Sequence, residues 1–152
     1  MPMHSPDVFQ HRSVIPAPVE CVFAFHAEPE ALRQLTMPPI RITIQADRRR
    51  SLTEGEVEFT LWLGPIPVRW IAEHMPGPNA TSFTDRMVRG PMAYWEHQHI
   101  MQPHPDGTEL IDRIRYAHKP GLGGVFTRLV FGRFALRVLF AYRHWRTRRA
   151  VR

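Results

Sequence analysis

Cysteine is almost absent from this chain, since Cys21 is the only one among 152 residues. A single cysteine excludes an intrachain disulfide and a four-cysteine zinc site. The N-terminus has no apolar run of the kind that forms a signal peptide. The one long apolar stretch, from Val125 to Tyr142, contains three arginines, which are costly at a bilayer centre. We therefore expect a soluble protein without a membrane span, most simply one of the bacterial cytoplasm.

The composition is that of a globular chain, with 43% hydrophobic, 22% charged and 11% aromatic residues. These proportions argue against a disordered or fibrous protein. A chain of 152 residues can bury most of its apolar surface in one core without disulfides. We expect one domain over residues 1–152, with its core at about 8–145 and a basic tail at 146–152.

Acidic residues are missing from the last quarter of the chain, where residues 113–152 hold 11 basic and no acidic side chains. Residues 1–112 hold 9 basic and 14 acidic side chains, a net charge of −5. The basic segment is either a solvated helix end, where cations suit the helix dipole, or a surface for anionic lipid or nucleic acid. No nucleic-acid recognition motif is present, so we expect no specific nucleic-acid partner.

Hydrophobic and polar residues alternate through the middle of the chain, as in Ile40, Ile42 and Ile44. This period of two predicts half-buried strands. Turns rich in proline and glycine separate the runs, and links this short join only antiparallel neighbours. We predict about six strands between residues 40 and 118. One further strand lies near the N-terminus, followed by two short helices.

The longest predicted helix runs from about Val125 to Arg149, after a glycine-rich segment. A broad apolar stripe on it, expected to form core or cavity floor, consists of Phe131, Phe134, Ala135, Val138, Tyr142 and Trp145. A second, narrower stripe consists of Leu129, Leu136 and Phe140. Two apolar stripes imply that the helix packs against other groups on two sides. One of these is the sheet, and the other is a loop, a ligand or the second subunit of a homodimer.

Short motifs accompany this order of elements. They are Ile15-Pro16-Ala17-Pro18, Val22-Phe23-Ala24-Phe25-His26, Phe83-Thr84-Asp85, Gly90-Pro91 and Trp95-Glu96-His97-Gln98-His99. In these motifs the chain resembles the SRPBCC (START-like, polyketide-cyclase/birch-pollen-allergen) superfamily over about residues 8–145. It is most similar to a bacterial branch regarded as ligand-binding or cyclase/dehydrase-like, some members of which are fused or adjacent to sugar-nucleotide-epimerase-like proteins. The resemblance implies an α+β helix-grip fold: a curved antiparallel sheet of about seven strands around a long C-terminal helix, with a ligand cavity between them.

Strand alternation indicates which side chains line that cavity. With the apolar-rich faces inward, Trp95, His97 and His99 point to the concave side, and Asp112 and Tyr116 do so on the next strand. A few polar groups in an aromatic wall are typical of a small-molecule site. The predicted ligand-binding residues are Phe59, Leu61, Trp70, Phe83, Asp85, Trp95, His97, His99, Asp112, Tyr116, Phe134 and Val138.

The two histidines on one strand face have several interpretations. His97 and His99 with Asp85 or Asp112 have the composition of a metal site. However, residues two apart on a strand lie about 6.5 to 7 Å apart along it, and no third His or Cys ligand is evident, so we expect no metal and no cofactor. His–Asp pairs that satisfy buried polar groups are the favoured interpretation, and the same pairs could contact a ligand. For an enzyme, the candidate catalytic residues are His97, His99 and Asp112.

Three functions stay open. The favoured one is binding of a small, largely hydrophobic ligand such as a lipid, a polyketide or another aromatic metabolite. The first alternative is a cyclase, aromatase or dehydratase that uses a His–Asp pair, although no nucleophile motif, phosphate loop or dinucleotide fingerprint is present. The second is an interaction module that binds anionic lipid or nucleic acid through the arginine-rich helix.

Overall fold

The computed structural model describes residues 5–151. Within that range, seven strands form one sheet, accompanied by four helices. The strands are β1 Asp7–Ile15, β2 Arg41–Asp47, β3 Gly55–Leu63, β4 Ile66–Pro76, β5 Ser82–Arg89, β6 Tyr94–His104 and β7 Gly107–Ala117. The helices are α1 Val19–Ala27, α2 Ala31–Gln34, α3 Leu122–Phe131 and α4 Arg133–Ala150.

The strands pair in the order β1-β7-β6-β5-β4-β3-β2, and every pair is antiparallel. Consecutive strands from β2 to β7 are neighbours because short turns connect them. The curved sheet, the two short helices after β1 and the long C-terminal helical segment confirm the predicted α+β helix-grip fold.

The register of the sheet brings polar side chains from several strands together. Asp85 on β5 is opposite His97 on β6, and His99 on β6 is opposite Asp112 on β7. On the other side of β7, Asp112 is opposite His11 of β1. Residues directly opposite each other in an antiparallel pair point to the same face. The strand pairing alone therefore gathers imidazoles and carboxylates into one patch.

The C-terminal helix is broken at Gly132, so the prediction of one continuous helix is wrong. Helix α3 ends at Phe131 and α4 begins at Arg133, with Gly132 in an extended conformation between them (φ −72°, ψ 170°). A Cβ on Gly132 would lie 2.1 Å from the carbonyl oxygen of Arg128. The close approach of the two backbone segments therefore requires glycine at this point.

The inner face of α4 also differs from the prediction. Phe134, Val138 and Trp145 are 79%, 42% and 47% exposed, whereas Leu136 and Phe140 are buried. Two causes explain the error. The break at Gly132 resets the helical phase, and the inner face continues through His144 and Thr147, whose polar side chains are buried but would be assigned to solvent by hydropathy.

Two arginines of the predicted basic tail are bonded to the rest of the chain. Arg146 donates to the carbonyl oxygen of Gln34 at the end of α2 (3.2 Å). Arg148 donates to the carbonyl oxygen of Val14 on β1 (2.9 Å). Residues 146–150 of the predicted tail are thus the last part of α4, which these two bonds hold against α2 and β1, and Arg152 lies outside the described residues. Arg146 and Arg148 therefore do not merely occupy solvent.

None of the helices described in residues 5–151 is both long and apolar enough to cross a membrane. The cytoplasmic location stays a prediction.

Replacing Gly132 by alanine tests the break between α3 and α4. The added methyl group meets backbone, so we expect Gly132→Ala to lower the free energy of unfolding by about 1 to 3 kcal/mol, measured by urea denaturation. Gly123→Ala is the matched control, because a Cβ there meets nothing within 4 Å and alanine suits a helix. The control should be neutral or slightly stabilising. Equal stability of the two variants would contradict the packing at Gly132.

Candidate functional site

A cavity of about 180 Å³ lies between the sheet and the C-terminal helices, with α2 and the segment after it at one side. Its wall is largely apolar and combines many aliphatic side chains with the aromatic side chains of Phe59, Trp70, Phe83, Trp95, Phe131 and Phe140. Trp70 meets the rings of Trp95 and Phe131 edge-on, at centroid distances of 5.3 and 5.6 Å. Edge-to-face packing of this kind fixes the rings and gives the wall a defined shape.

Eight of the twelve predicted ligand-binding residues line this cavity: Phe59, Leu61, Trp70, Phe83, Asp85, Trp95, His97 and His99. Asp112 and Tyr116 are buried but do not reach the cavity surface. Phe134 and Val138 lie on the exposed side of α4, so their placement in the cavity was wrong for the reasons given above. That a ligand contacts the eight lining residues stays a prediction.

Asp112 lies behind the cavity wall and binds two histidines through its two oxygens. His97 Nε2–H donates to Oδ1 and His144 Nε2–H donates to Oδ2, each at 2.6 Å. The Nδ1 atom of His144 is hydrogen-bonded to the hydroxyl of Ser13 on β1. Asp112 thus forms a buried His–Asp pair of the kind that the sequence analysis favoured, with a direct hydrogen bond to His97 of β6.

His99 lies between two carboxylates. Its Nε2–H donates to Asp85 Oδ2 at 2.6 Å, and its Nδ1 lies 3.2 Å from Asp112 Oδ1 at an angle that makes no hydrogen bond. The ring is stacked between Phe83 and His97, at centroid distances of 4.1 and 3.6 Å. Stacking on both faces and a carboxylate at each edge leave this imidazole little freedom to turn.

Burial and charge act in opposite directions on this cluster. Burial by itself lowers the pKa of His99, but the nearby carboxylates of Asp112 and Asp85 outweigh it and raise the pKa. Burial would raise the pKa of both carboxyls, but the surrounding histidines outweigh it and lower them well below the usual range. Burial and the charge of His99 lower the pKa of His97. The cluster therefore favours ionised carboxylates and a protonated His99.

Two further histidines at the cavity are neutral. His26 Nδ1–H donates to the carbonyl oxygen of Val22 (2.8 Å), and burial lowers the pKa of His26 to about 3. His74 Nδ1–H donates to the carbonyl oxygen of Leu52 (2.9 Å), and burial again lowers its pKa. With the proton held on Nδ1, each ring keeps its Nε2 lone pair as a hydrogen-bond acceptor.

Several polar residues of this region were not predicted from the sequence, among them His26, His74, Arg143 and His144. Phe140, Arg143 and His144 lie 4, 7 and 8 residues after Leu136, and this spacing puts all four on one helix face. That spacing was a usable signal, because a polar pair on an apolar stripe indicates a buried polar site. His74 continues the alternation of Val68, Trp70 and Ala72 on β4, and His26 follows Val19 and Val22 at helical spacing on α1. The same periodicity that placed His97 inward could therefore have placed both of them inward.

Asp85, His97 and His99 also have the composition of a metal site, and their ligand atoms lie within 4.8 Å of one another. The 2.6 Å separation of His99 Nε2 and Asp85 Oδ2 is a hydrogen-bond distance. A cation bound here would have to displace the proton on His99 Nε2, which is hydrogen-bonded to Asp85. The prediction that this protein has no metal stays a prediction.

Asp112→Asn tests the network behind the cavity. The amide keeps the size of the side chain but loses its charge and one of the two acceptor oxygens, so the donors of His97 and His144 cannot both be satisfied. We expect the free energy of unfolding to fall by roughly 2 to 4 kcal/mol. Asp106→Asn is the control, since that side chain is 84% exposed and the change should be near zero. A loss within about 0.5 kcal/mol for Asp112→Asn would mean that the network does not hold the fold.

The lowered pKa values of His26, His74 and His97 predict a loss of stability in mild acid. Below about pH 6.5 the unfolded histidines bind protons that the folded ones do not, so the free energy of unfolding falls as the pH drops. His99 contributes in the opposite sense, since its stabilisation is complete below about pH 6.5 and is lost as the pH rises through its raised pKa.

Chemical denaturation between pH 7 and pH 4 measures the effect in mild acid. His26→Gln should flatten the slope, because the unfolded-state proton of that residue is removed, whereas the control Gln45→Asn, an exposed exchange on β2 that removes no titratable group, should leave it unchanged. Equal slopes in the two variants would show that His26 is not the neutral, buried group described above.

No protein-family model matches this chain, and neither does any curated protein. Solved structures do share its fold. A protein from Thermus thermophilus is 19% identical with a TM-score of 0.69, and the match covers 96% of this chain and 100% of that one. A START superfamily protein from Mycobacterium smegmatis is 16% identical with a TM-score of 0.69, covering 94% and 98%.

A nucleoside-diphosphate sugar epimerase from Corynebacterium glutamicum is 25% identical with a TM-score of 0.69. The match covers 93% of this chain but only 28% of the epimerase, so it concerns a minor part of that protein. The similarity of fold to a START superfamily protein extends over nearly the whole chain. This chain therefore has the helix-grip fold of START-like proteins, as its sequence motifs predicted.

Proposed function

We propose that this protein binds a small, largely apolar molecule in the cavity between the sheet and α4. The observation that carries the proposal is the cavity itself, whose apolar wall surrounds a small number of fixed polar groups. That composition is typical of sites for small molecules. The START-like fold supports the same conclusion, because it leaves a space between sheet and helix.

The hydrogen bonding of the cluster favours binding over catalysis. A general acid needs a proton that it can present to a substrate, and a general base needs a lone pair of suitable pKa. The Nε2–H groups of His97 and His99 are already committed to Asp112 and Asp85. The free lone pair of His26 belongs to a group whose pKa is about 3, too low for an effective base near neutral pH. We therefore place ligand binding ahead of cyclase or dehydratase chemistry.

The arginine-rich helix supports a separate partner less well. Arg146 and Arg148 are bonded to backbone carbonyl groups of the same chain. Side chains that hold α4 in place are only partly available to an anionic lipid or nucleic acid. The cavity is the better-supported site.

The single-ring, environment-sensitive dye 4-(dimethylamino)benzonitrile tests the proposal, because its size suits a cavity of about 180 Å³. Dye bound in the cavity should quench the fluorescence of Trp70 and Trp95, which line it, and its own emission should rise. Ala72 also lines the cavity and is 3% exposed, so Ala72→Phe should fill the space and weaken dye binding about tenfold or more. Ala141→Phe, on the exposed side of α4, is the matched control and should bind dye as the unchanged protein does.

A native mass spectrum after mild purification completes the experiment by showing whether an apolar molecule co-purifies. Absence of dye binding to the unchanged protein would refute the proposal. Equal binding by Ala72→Phe and the unchanged protein, with both folded by circular dichroism, would place the dye elsewhere and would also refute it.

A further inference from the structure

Arg143 brings a cationic group to the cavity. It follows Leu136 and Phe140 on the inner face of α4, and all three line the cavity. Within residues 5–151 its guanidinium makes no hydrogen bond and no ion pair, and its one close aromatic neighbour is the ring of Phe140, 5.4 Å away. A guanidinium has five N–H donors and is always charged. The side chain is half-buried, and its nitrogens are reached from the space around them, so these unpaired donors are open to a group that enters the cavity.

Arg49, the other arginine of the cavity wall, differs in this respect. Its Nε–H and Nη2–H donate to the two carboxylate oxygens of Asp47, at 2.8 and 2.6 Å. This paired arrangement leaves Arg49 without a strong demand for an external anion. The contrast singles out Arg143 as the cation whose partner is missing from the described chain.

The acidic residues nearest to Arg143 cannot take that role. Asp112 and Asp85 are close enough for their charges to act on Arg143, but they bond to His97, His144 and His99 instead. His99 and its two carboxylates compensate much of one another's charge. The free donors of Arg143 are therefore available to a group that enters the cavity from outside.

The size of the cavity limits what that group can belong to. A volume of about 180 Å³ is slightly larger than a protein cavity of about 150 Å³ that holds benzene. The wall around it is apolar, and Trp70 and Trp95 are among the side chains that line the space. A single ring with a short side chain fits these limits.

We propose, on the basis of the ligand-binding function above, that the ligand is a small monocarboxylic acid whose apolar or aromatic body lies among Phe59, Trp70 and Trp95 and whose carboxylate pairs with Arg143. An arginine fork matches the two oxygens of a carboxylate and forms two parallel, charge-assisted hydrogen bonds with it. A neutral ligand of the same shape would leave the charge of Arg143 unpaired.

The experiment compares 3-phenylpropionate with 3-phenylpropan-1-ol, which has the same ring and chain but no charge. Binding of each is measured near neutral pH by calorimetry and by tryptophan fluorescence. We expect the acid to bind the unchanged protein at least about tenfold more tightly than the alcohol. Arg143→Met should abolish that preference while leaving alcohol binding in place, and Arg143→Lys should restore part of it. Arg137→Met, on the exposed face of the same helix, should behave as the unchanged protein.

Each outcome separates this inference from the function on which it rests. Equal affinity of the unchanged protein for acid and alcohol, which requires no variant, overturns the role of Arg143 and leaves the ligand-binding function standing. Retention of the acid preference in folded Arg143→Met does the same, as does binding of the hydrophobic dye with no binding of either probe. Failure of the dye and both probes to bind refutes the ligand-binding function itself.

Discussion

Asp112 places a carboxylate between the sheet and α4, where it is 3% exposed. An isolated charge in such a place costs several kcal/mol unless hydrogen-bonded partners surround it. The partners come from two elements, His97 on β6 and His144 on α4, and His144 reaches the carboxylate only when Leu136 and Phe140 also face inward. The polar bond and the burial of apolar side chains thus require the same rotation of α4 about its axis.

That rotation decides what the helix presents on each side. Phe140 lies one turn before His144 and Arg143 lies directly before it, and both side chains line the cavity. The outer face carries Phe134, Val138 and Trp145, which remain substantially exposed. A rotation that buried the more apolar face would remove the partner of Asp112. The rotation of α4 that supplies Asp112 with a hydrogen-bond partner therefore leaves apolar side chains of the helix exposed to solvent.

The same constraint explains how far the sequence could predict the structure. Alternation of apolar and polar residues identified the strands and the inward face of His97, His99 and Asp112, because each strand has one dry face and its neighbours follow through short turns. The inner face of α4 was not predicted, because His144 and Thr147 are buried by hydrogen bonds that hydropathy does not register. The break at Gly132 depends on a backbone contact with Arg128 that no local pattern reveals.

The apolar wall of the cavity and Arg143 contribute differently to the recognition of a ligand. Burying about 150 Å² of a ring contributes about 4 kcal/mol, and the pairing of a carboxylate with the half-exposed Arg143 adds about 2 kcal/mol in total. Their sum corresponds to a dissociation constant of tens of micromolar at best, because binding also has an entropic cost. A ligand held more tightly must extend past the ring, along the partly exposed Leu32, Met37 and Leu61 that also line the cavity. The apolar wall and that extension would then set affinity, whereas Arg143 would set which head group is accepted.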